Sequence, residues 1–294
     1  MVIVCLCFST DIFLAVLNGA QKIPKEKLKV NWSDAIGAGS FGRVFRGTWL
    51  GTDIAVKQIR RGASVKESVL REATIHSMLQ HPNIVTFLGI STKKKDILIV
   101  TEFVKGNSLQ VHIDEETQIA DAVKTELIHD ILRGIAYLHE VGVVHSDVKP
   151  GNILVTSSLE TAKICDFGLG RLKQHASLSV ASLSLGDNVI EGTPSYMAPE
   201  CLLHKARASY SSDVWSLGVT LLEFLTFQDP WEQALEGQDG STELEKLVAA
   251  QKASSLPVSL FQSLSAAHRS NIEMCLNYNK ELRPTAIALL DCEW

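Results

Sequence analysis

Residues 36–59 read IGAGSFGRVFRGTWLGTDIAVKQI. Gly37, Gly39 and Gly42 spell G-x-G-x-x-G, a pattern shared by two different phosphate-binding arrangements. The residues after the glycines decide between them. A dinucleotide-binding turn runs straight into a helix, whose N-terminus holds the pyrophosphate. Here Val44, Phe45, Thr48 and Trp49 are strand formers, Leu50-Gly51-Thr52-Asp53 is turn-forming, and Ile54, Ala55 and Val56 resume the apolar run. The segment is therefore expected as strand, turn, strand. Glycines in such a hairpin let the backbone approach phosphate groups closely and present bare N–H donors. Lys57, on the second strand in "AVK", is placed to reach the same phosphates as a point charge.

A lysine held among apolar residues needs a carboxylate partner. In SVKESVLREATIHSML (64–79), Val65, Val69, Glu72, His76 and Leu79 are spaced 4, 3, 4 and 3 apart, on one face of a helix. Glu72 is thus a charge in an inward-facing stripe. Alone it would read as a solvated residue at the stripe's edge; a strand lysine in need of a partner reverses that reading.

The chain has 294 residues, 46% hydrophobic and 21% charged, an ordinary globular profile with enough length for a large core. A net charge of −5 gives no reason to expect a nucleic-acid partner. The run Lys93-Lys94-Lys95 lies between two apolar segments and reads as a solvated hairpin turn. Six scattered cysteines form no CxxC and no cluster with histidine, which suits free thiols in a reducing, cytoplasmic setting. The opening MVIVCLCFSTDIFLAVLNGA is apolar, but no Lys or Arg precedes it, Asp11 interrupts it and Asn18-Gly19 ends it. It falls short of the roughly 20 apolar residues of a membrane span. It reads as a buried strand or helix or an irregular chain start, with a secretory leader as the alternative, and no role is assigned to it.

The stretch VVHSDVKPGNIL (143–154) sets Asp147, Lys149 and Asn152 within six residues, between apolar runs. Further on stand DFG at Asp166-Phe167-Gly168, GTPSYMAPE ending at Ala198-Pro199-Glu200, SDVWSLGV with Asp213, and LRPT with Arg283. With the glycine loop, Lys57 and Glu72 in order before them, these motifs resemble the eukaryotic protein kinase family over about residue 30 to the end. The GTWLGTDIAVKQI hairpin and IVTEF are similar to the tyrosine-kinase-like group; the altered His-x-Asp and KPGNIL also resemble Mos-type serine/threonine kinases. The resemblance implies an α+β, bilobal fold: a small, mainly β N-lobe with one key helix (about 30–104) and a larger, mainly α C-lobe (about 105–294), after an apolar segment and lead-in at 1–29.

It also implies site roles for ATP and Mg2+. Phosphoryl transfer asks the protein mainly to position reactants and neutralise charge. Asp147 would orient or accept the proton of the attacking hydroxyl, and Lys149 would steady the moving phosphoryl group. Asn152 and Asp166 are oxygen donors suited to Mg2+. Lys57 would hold the α- and β-phosphates and Glu72 would hold Lys57, beneath the Gly37–Gly42 loop. Ile36, Val44, Ala55 and Leu154 would line the adenine slot, Thr101 would stand behind it, and Glu102, Phe103 and Val104 would form the hinge. Thr193 would bond to Asp147 and Lys149, and Cys165 would face the nucleotide.

For scaffold, Leu127, Ile131, Ile135 and Leu138 share one helical face, and SSDVWSLGVTLLEFLT is apolar nearly all round, as a buried central helix should be. Asp213 is expected to cap that helix and, by resemblance, to hold the catalytic-loop backbone; Glu200 and Arg283 would form a buried pair. Lys149 and GTPSYMAPE resemble serine/threonine kinases, which implies protein substrates with Ser/Thr acceptors and argues against a small-molecule acceptor.

Ser146 stands where the family's pattern has an arginine that pairs with an activation-loop phosphate. The position that usually carries the phosphate is Val189, four residues before Thr193. Both halves of that latch are absent, so activation without it is expected, with Ser177, Ser179, Ser182 and Ser184 left as other phosphorylation sites. The alternative is a pseudokinase acting as scaffold or allosteric partner; against it stand Lys57, Asp147 and Asp166.

Overall fold

The glycine-bearing stretch is a β-hairpin, as its residue pattern requires. In the computed structural model, which describes residues 21–39, 42–59, 73–93, 96–167, 171–172, 192–232, 242–252 and 258–294, β1 (Leu28–Gly39) pairs antiparallel with β2 (Gly42–Trp49). Strand β2 turns back into β3 (Thr52–Ile59) through Leu50 and Gly51, at φ 50° and 88°. Two left-handed residues in a two-residue loop give the turn whose twist matches the strands, and Gly51 occupies its second position without a Cβ penalty. With β4 (Phe87–Lys93) and β5 (Asp96–Glu102) they form a five-stranded antiparallel sheet in the order β1-β2-β3-β5-β4. Lys93 closes β4 opposite Asp96; Lys94 and Lys95 lie outside the described residues.

Period-two alternation divides the sheet's side chains between two cores. Ile54, Val56, Leu98 and Val100 point one way and pack with Ile23, flanked by Leu28, Val30, Trp32, Trp49 and Leu88. Ile59, Ile97 and Ile99 point the other way and meet Ile90, Phe87 and Ala73, the last from a helical segment at 73–77. His76, expected on that helix's inward face, is buried and bonds through Nε2 to the Val85 carbonyl at 2.6 Å; Leu79 is buried just past its end. Val65, Val69 and Glu72 lie outside the described residues.

The chain divides into two units: one runs through His81 and includes Val85–Val104, and the other comprises Pro82–Ile84 and Lys105–Trp294. The second opens with β6 (Gly106–Ser108), α1 (Leu109–Asp114) and α2 (Asp121–Glu140). The expected stripe Leu127, Ile131, Ile135 and Leu138 of α2 is wholly buried. After α2 come β7 (Val143–Val144), β8 (Ile153–Thr156) and β9 (Ala162–Ile164), and β6, β8 and β9 form a small sheet. Strand β7 pairs with β10 (Arg171–Leu172). Gly134 is where α2 comes close to β9: a Cβ there would stand 2.7 Å from Ile164 Cδ1.

The helices α3 (Pro199–Leu202), α4 (Tyr210–Thr226), α5 (Glu243–Lys252), α6 (Val258–Gln262), α7 (Ala266–Cys275) and α8 (Ala286–Leu290) complete the unit. Every residue of α4 from Ser212 to Phe224 is buried, in keeping with its apolar circumference. Its cap differs from expectation. Ser209 and Ser212 exchange side-chain-to-backbone bonds in a capping box, so the helix start is satisfied without Asp213. The aspartate, one turn in, is released for another task.

Arg283 anchors this scaffold. Its guanidinium meets Glu200 through two bonds of 2.7 and 2.8 Å, donates to the carbonyls of Asn277 and Ser211 at 2.7 and 2.9 Å, and lies 5.0 Å over the Trp215 ring. The arginine side chain is fully buried, so removing either partner strands a charge. Arg283→Ala is expected to lower the unfolding free energy by about 3–5 kcal/mol in urea denaturation. Arg283→Lys is expected to lose part of that, since an ammonium does not reproduce the fork geometry. A lysine variant as stable as the wild type would contradict this account.

Candidate active site

The strand pairing collects four of the residues picked from the sequence on one face of the five-stranded sheet. Val44 stands opposite Lys57 across β2 and β3, and Ala55 stands opposite Thr101 across β3 and β5. Because 55 and 57 share parity, Val44, Ala55, Lys57 and Thr101 project to the same side, the side that carries Ile59, Ile99 and Ala73. Gly37 pairs with Val44 and Gly39 with Gly42, which places these glycines next to Val44 in the sheet, and Ile36 beside them is half-exposed. Glu102 ends β5; its carboxylate accepts the Thr86 N–H and hydroxyl at 2.7 and 2.8 Å, fixing the strand's exit toward Phe103 and Val104. Arg46 covers the Phe103 ring at 4.6 Å. Glu72 and Gly168 lie outside the described residues.

In the larger unit, Asp147, Lys149 and Asn152 converge. Asp147 Oδ2 lies 2.9 Å from Lys149 Nζ and 3.0 Å from Asn152 Nδ2, and Asn152 also donates to the Asp147 carbonyl at 2.8 Å. Asp147 Oδ1 accepts the Thr193 hydroxyl at 3.0 Å and its N–H at 3.2 Å, while Lys149 donates to the same hydroxyl at 2.6 Å. Protons thus run from Lys149 to Thr193 to Asp147, and Thr193 meets both partners, as the resemblance implied. The Asn152 amide is oriented by acceptors on its nitrogen side, which turns its Oδ1 away from Asp147. Leu154 sits in β8, two residues on, paired with Ser108 and Lys163.

The loop that carries these side chains hangs from Asp213. One carboxylate oxygen accepts the His145 N–H at 2.8 Å and the other the Ser146 N–H at 2.9 Å. His139 Nε2, at the end of α2, adds a third bond at 3.0 Å. The aspartate side chain is 1% exposed, so these donors replace its hydration. His145 extends the network. Its Nδ1 accepts the Asp147 N–H at 3.2 Å, which leaves the proton on Nε2 for the Cys165 carbonyl at 3.1 Å. The ring meets Phe167 edge-on at 5.3 Å. The Cys165 N–H bonds back to the Asn152 carbonyl at 2.9 Å, so the loop and the strand leading to Asp166 are tied twice. Ser146 and Asp166 are both non-glycine residues in the left-handed region, at φ 70° and 62°. Such positions cost about 1–3 kcal/mol each and persist only where neighbours over-determine them. At Ser146 those neighbours are the Asp213 bonds.

His139 was not singled out in the sequence. The only available signal was its place one residue past the Leu138 stripe position. A second unforeseen group is Glu223, buried near the end of α4. It accepts from Tyr196 Oη at 2.6 Å and from Gln110 Nε2 at 3.3 Å. Burial raises its pKa above the usual glutamate value, against the smaller lowering from these two bonds, and Asp229 and Asp114 raise it further. Burial and the same carboxylate push the Tyr196 hydroxyl upward as well.

Two units, a five-stranded antiparallel sheet bearing a glycine-rich hairpin and a helical body bearing an aspartate-lysine-asparagine loop, define the bilobal protein kinase fold. The chain belongs to that family: the model described as "Protein kinase domain" matches residues 30–294. Among curated relatives, the serine/threonine-protein kinase CTR1 of Arabidopsis thaliana is 35% identical over 270 residues, 89% of this chain and 31% of CTR1. The dual specificity protein kinase shkC of Dictyostelium discoideum is 36% identical over 226 residues, 74% of this chain and 43% of shkC. Mitogen-activated protein kinase kinase kinase 3 of Arabidopsis thaliana is 30% identical over 264 residues, 87% of this chain and 41% of the relative. The chain therefore spans less than half the length of each of these three. They agree with the likeness to the tyrosine-kinase-like group read from the hairpin.

Because the folded-state pKa of Glu223 is raised, its ionisation weakens the fold. The penalty is absent below the unfolded glutamate pKa and grows as pH rises from about 4 toward the raised value, then stays constant. The urea midpoint of wild type relative to Glu223→Gln is expected to fall across that window. A difference independent of pH would contradict the shift.

Proposed function

We propose that this chain transfers the γ-phosphoryl group of ATP to serine and threonine hydroxyls of protein substrates. The observation that carries the reading is the state of Asp147: a carboxylate with Lys149, Asn152 and Thr193 fixed around it, on a loop whose backbone is held independently by Asp213. In that setting Asp147 orients an acceptor hydroxyl and takes its proton, and Lys149 balances negative charge on the transferred group. The donor set fits a hard cation: Asn152 has its amide oxygen turned away from Asp147, and Asp166 supplies a carboxylate. Among the described residues no group of three or more His, Cys, Asp or Glu is placed to hold a metal unaided, so phosphate oxygens would complete the shell. Bound Mg2+ would neutralise charge on the ATP phosphates. On the sheet, Lys57 is the cation for the α- and β-phosphates beside the glycine turn, Ala55, Val44 and Ile36 the apolar surface for adenine, and the backbone of Glu102 to Val104 its polar reader.

Serine/threonine acceptors follow from Lys149 and the Thr193 segment, and the printed name of CTR1 points the same way. The reading includes activation without an activation-loop phosphate opposite residue 146. Ser146 carries no charge, its Oγ is buried with no hydrogen-bond partner among the described residues, and Thr193 already rests on Asp147 and Lys149. Position 189 lies outside the described residues. Among the described residues Cys165, Cys201, Cys275 and Cys292 form no disulfide, which supports a reducing, cytoplasmic setting. No described helix is long and apolar enough to cross a membrane.

The test is transfer of label from ATP to protein and peptide substrates with Mg2+, followed by phosphoamino-acid analysis. Label is expected on serine and threonine, with the rate about 10²–10⁴-fold lower in Asp147→Asn and unchanged after phosphatase treatment of the wild type. Label confined to tyrosine overturns the acceptor class, and a large loss after phosphatase overturns activation without the latch. Equal background from wild type and Asp147→Asn would instead support a scaffold without transferase activity.

A further inference from the structure

The segment that follows Thr193 is held through its carbonyl groups, and each holder is identifiable. The Thr193 and Pro194 carbonyls are taken by the N–H groups of Tyr196 and Met197, both at 3.0 Å, in one turn of 3-10 helix. The next three carbonyls leave that turn in different directions, and each meets a side chain from elsewhere. Trp231 Nε1 donates to Ser195 at 2.7 Å, Ser216 Oγ of α4 to Tyr196 at 2.7 Å, and Gln251 Nε2 of α5 to Met197 at 3.0 Å. The Ala198 carbonyl then enters α3 by accepting from Cys201 at 2.9 Å. Six successive carbonyls are thereby accounted for, three of them by long-range side-chain donors.

Trp231 and Gln251 are each 1% exposed. Gln251 is informative because its Oε1 is buried with no hydrogen-bond partner among the described residues. A buried, unpaired amide oxygen opposes folding, so an apolar residue of the same size would fill this place at no loss from that atom. What glutamine supplies that such a residue lacks is the Nε2 donor on Met197. The feature therefore reads as a device for placing backbone, beyond filling space.

We propose that Trp231, Ser216 and Gln251 are positioning residues for the acceptor side of the reaction. They fix the Ser195–Met197 ribbon against the helical body, set Thr193 on Asp147 and Lys149, and so determine where an acceptor hydroxyl lies relative to Asp147. The inference rests on the transferase reading. None of the three reaches the reacting atoms, and all three belong to the unit that carries Asp147. Their loss should therefore fall on the protein substrate and spare ATP.

The experiment is steady-state kinetics of Trp231→Phe and Gln251→Met, with a serine/threonine peptide varied at saturating ATP and ATP varied at saturating peptide. Trp231→Phe keeps an aromatic ring, smaller than indole, and deletes the donor. Gln251→Met keeps the volume and exchanges one unpaired buried oxygen, Oε1, for another, the Met197 carbonyl, so its unfolding midpoint should match the wild type. Misplacing reacting groups by a fraction of an ångström is felt strongly, and kcat/KM for the peptide is expected to fall about tenfold or more in each variant while KM for ATP stays within about twofold. If Trp231→Phe fails to fold, Gln251→Met decides the question alone. Unchanged peptide kinetics in folded variants, or parallel loss of peptide and ATP parameters in proportion to unfolded protein, overturns the inference while leaving the transferase reading intact. A wild type that transfers no phosphate at all overturns both.

Discussion

The carboxylate of Asp213 is the constraint on which the site depends. It is buried at the start of α4, and its charge is met by two backbone N–H groups of the catalytic loop and by the His139 ring. A buried charge whose partners are chosen by the fold acts as a clamp, because every geometry that lengthens those bonds leaves the charge uncompensated. The clamp permits Ser146 to sit at φ 70° and thereby turns Asp147 toward Lys149, Asn152 and Thr193. The capping box of Ser209 and Ser212 matters for the same reason: it satisfies the helix start and leaves Asp213 available to the loop.

A second layer of support works through backbone carbonyls. His145 links the Asp147 N–H to the Cys165 carbonyl, the Cys165 N–H donates back to the Asn152 carbonyl, and the Thr193 segment is carried on donors from three places in the helical body. Short loops without regular structure are held in this way with the precision of a helix or strand, since the backbone groups named here have dedicated partners.

Much of this was legible in the residues. The strand-turn-strand reading of 42–59 followed from where the β-formers fall after the glycines, and the buried faces of α2 and α4 followed from apolar spacing. Asp147, Lys149, Asn152, Thr193 and the Glu200–Arg283 pair were found through motif order, and the structure brings the first four together and joins the last two. Two limits of local sequence patterns account for the rest. Asp is a common helix cap, yet two nearby serines cap α4 in place of Asp213, and sequence alone does not rank neighbouring candidates. His139, Glu223, Trp231 and Gln251 were passed over because their partners lie 74, 27, 36 and 54 positions away, beyond the reach of local periodicity.

The central claim is that Asp213 sets the catalytic loop, and Asp213→Asn tests it with the smallest change of shape. An amide offers one acceptor oxygen and one N–H2 group, so either the His145 or the Ser146 N–H would face a donor in place of an acceptor. Phosphoryl transfer to a serine/threonine peptide, measured on protein verified as folded by circular dichroism, is expected to fall by about 10²-fold or more. A folded Asp213→Asn protein working at the wild-type rate would contradict the account.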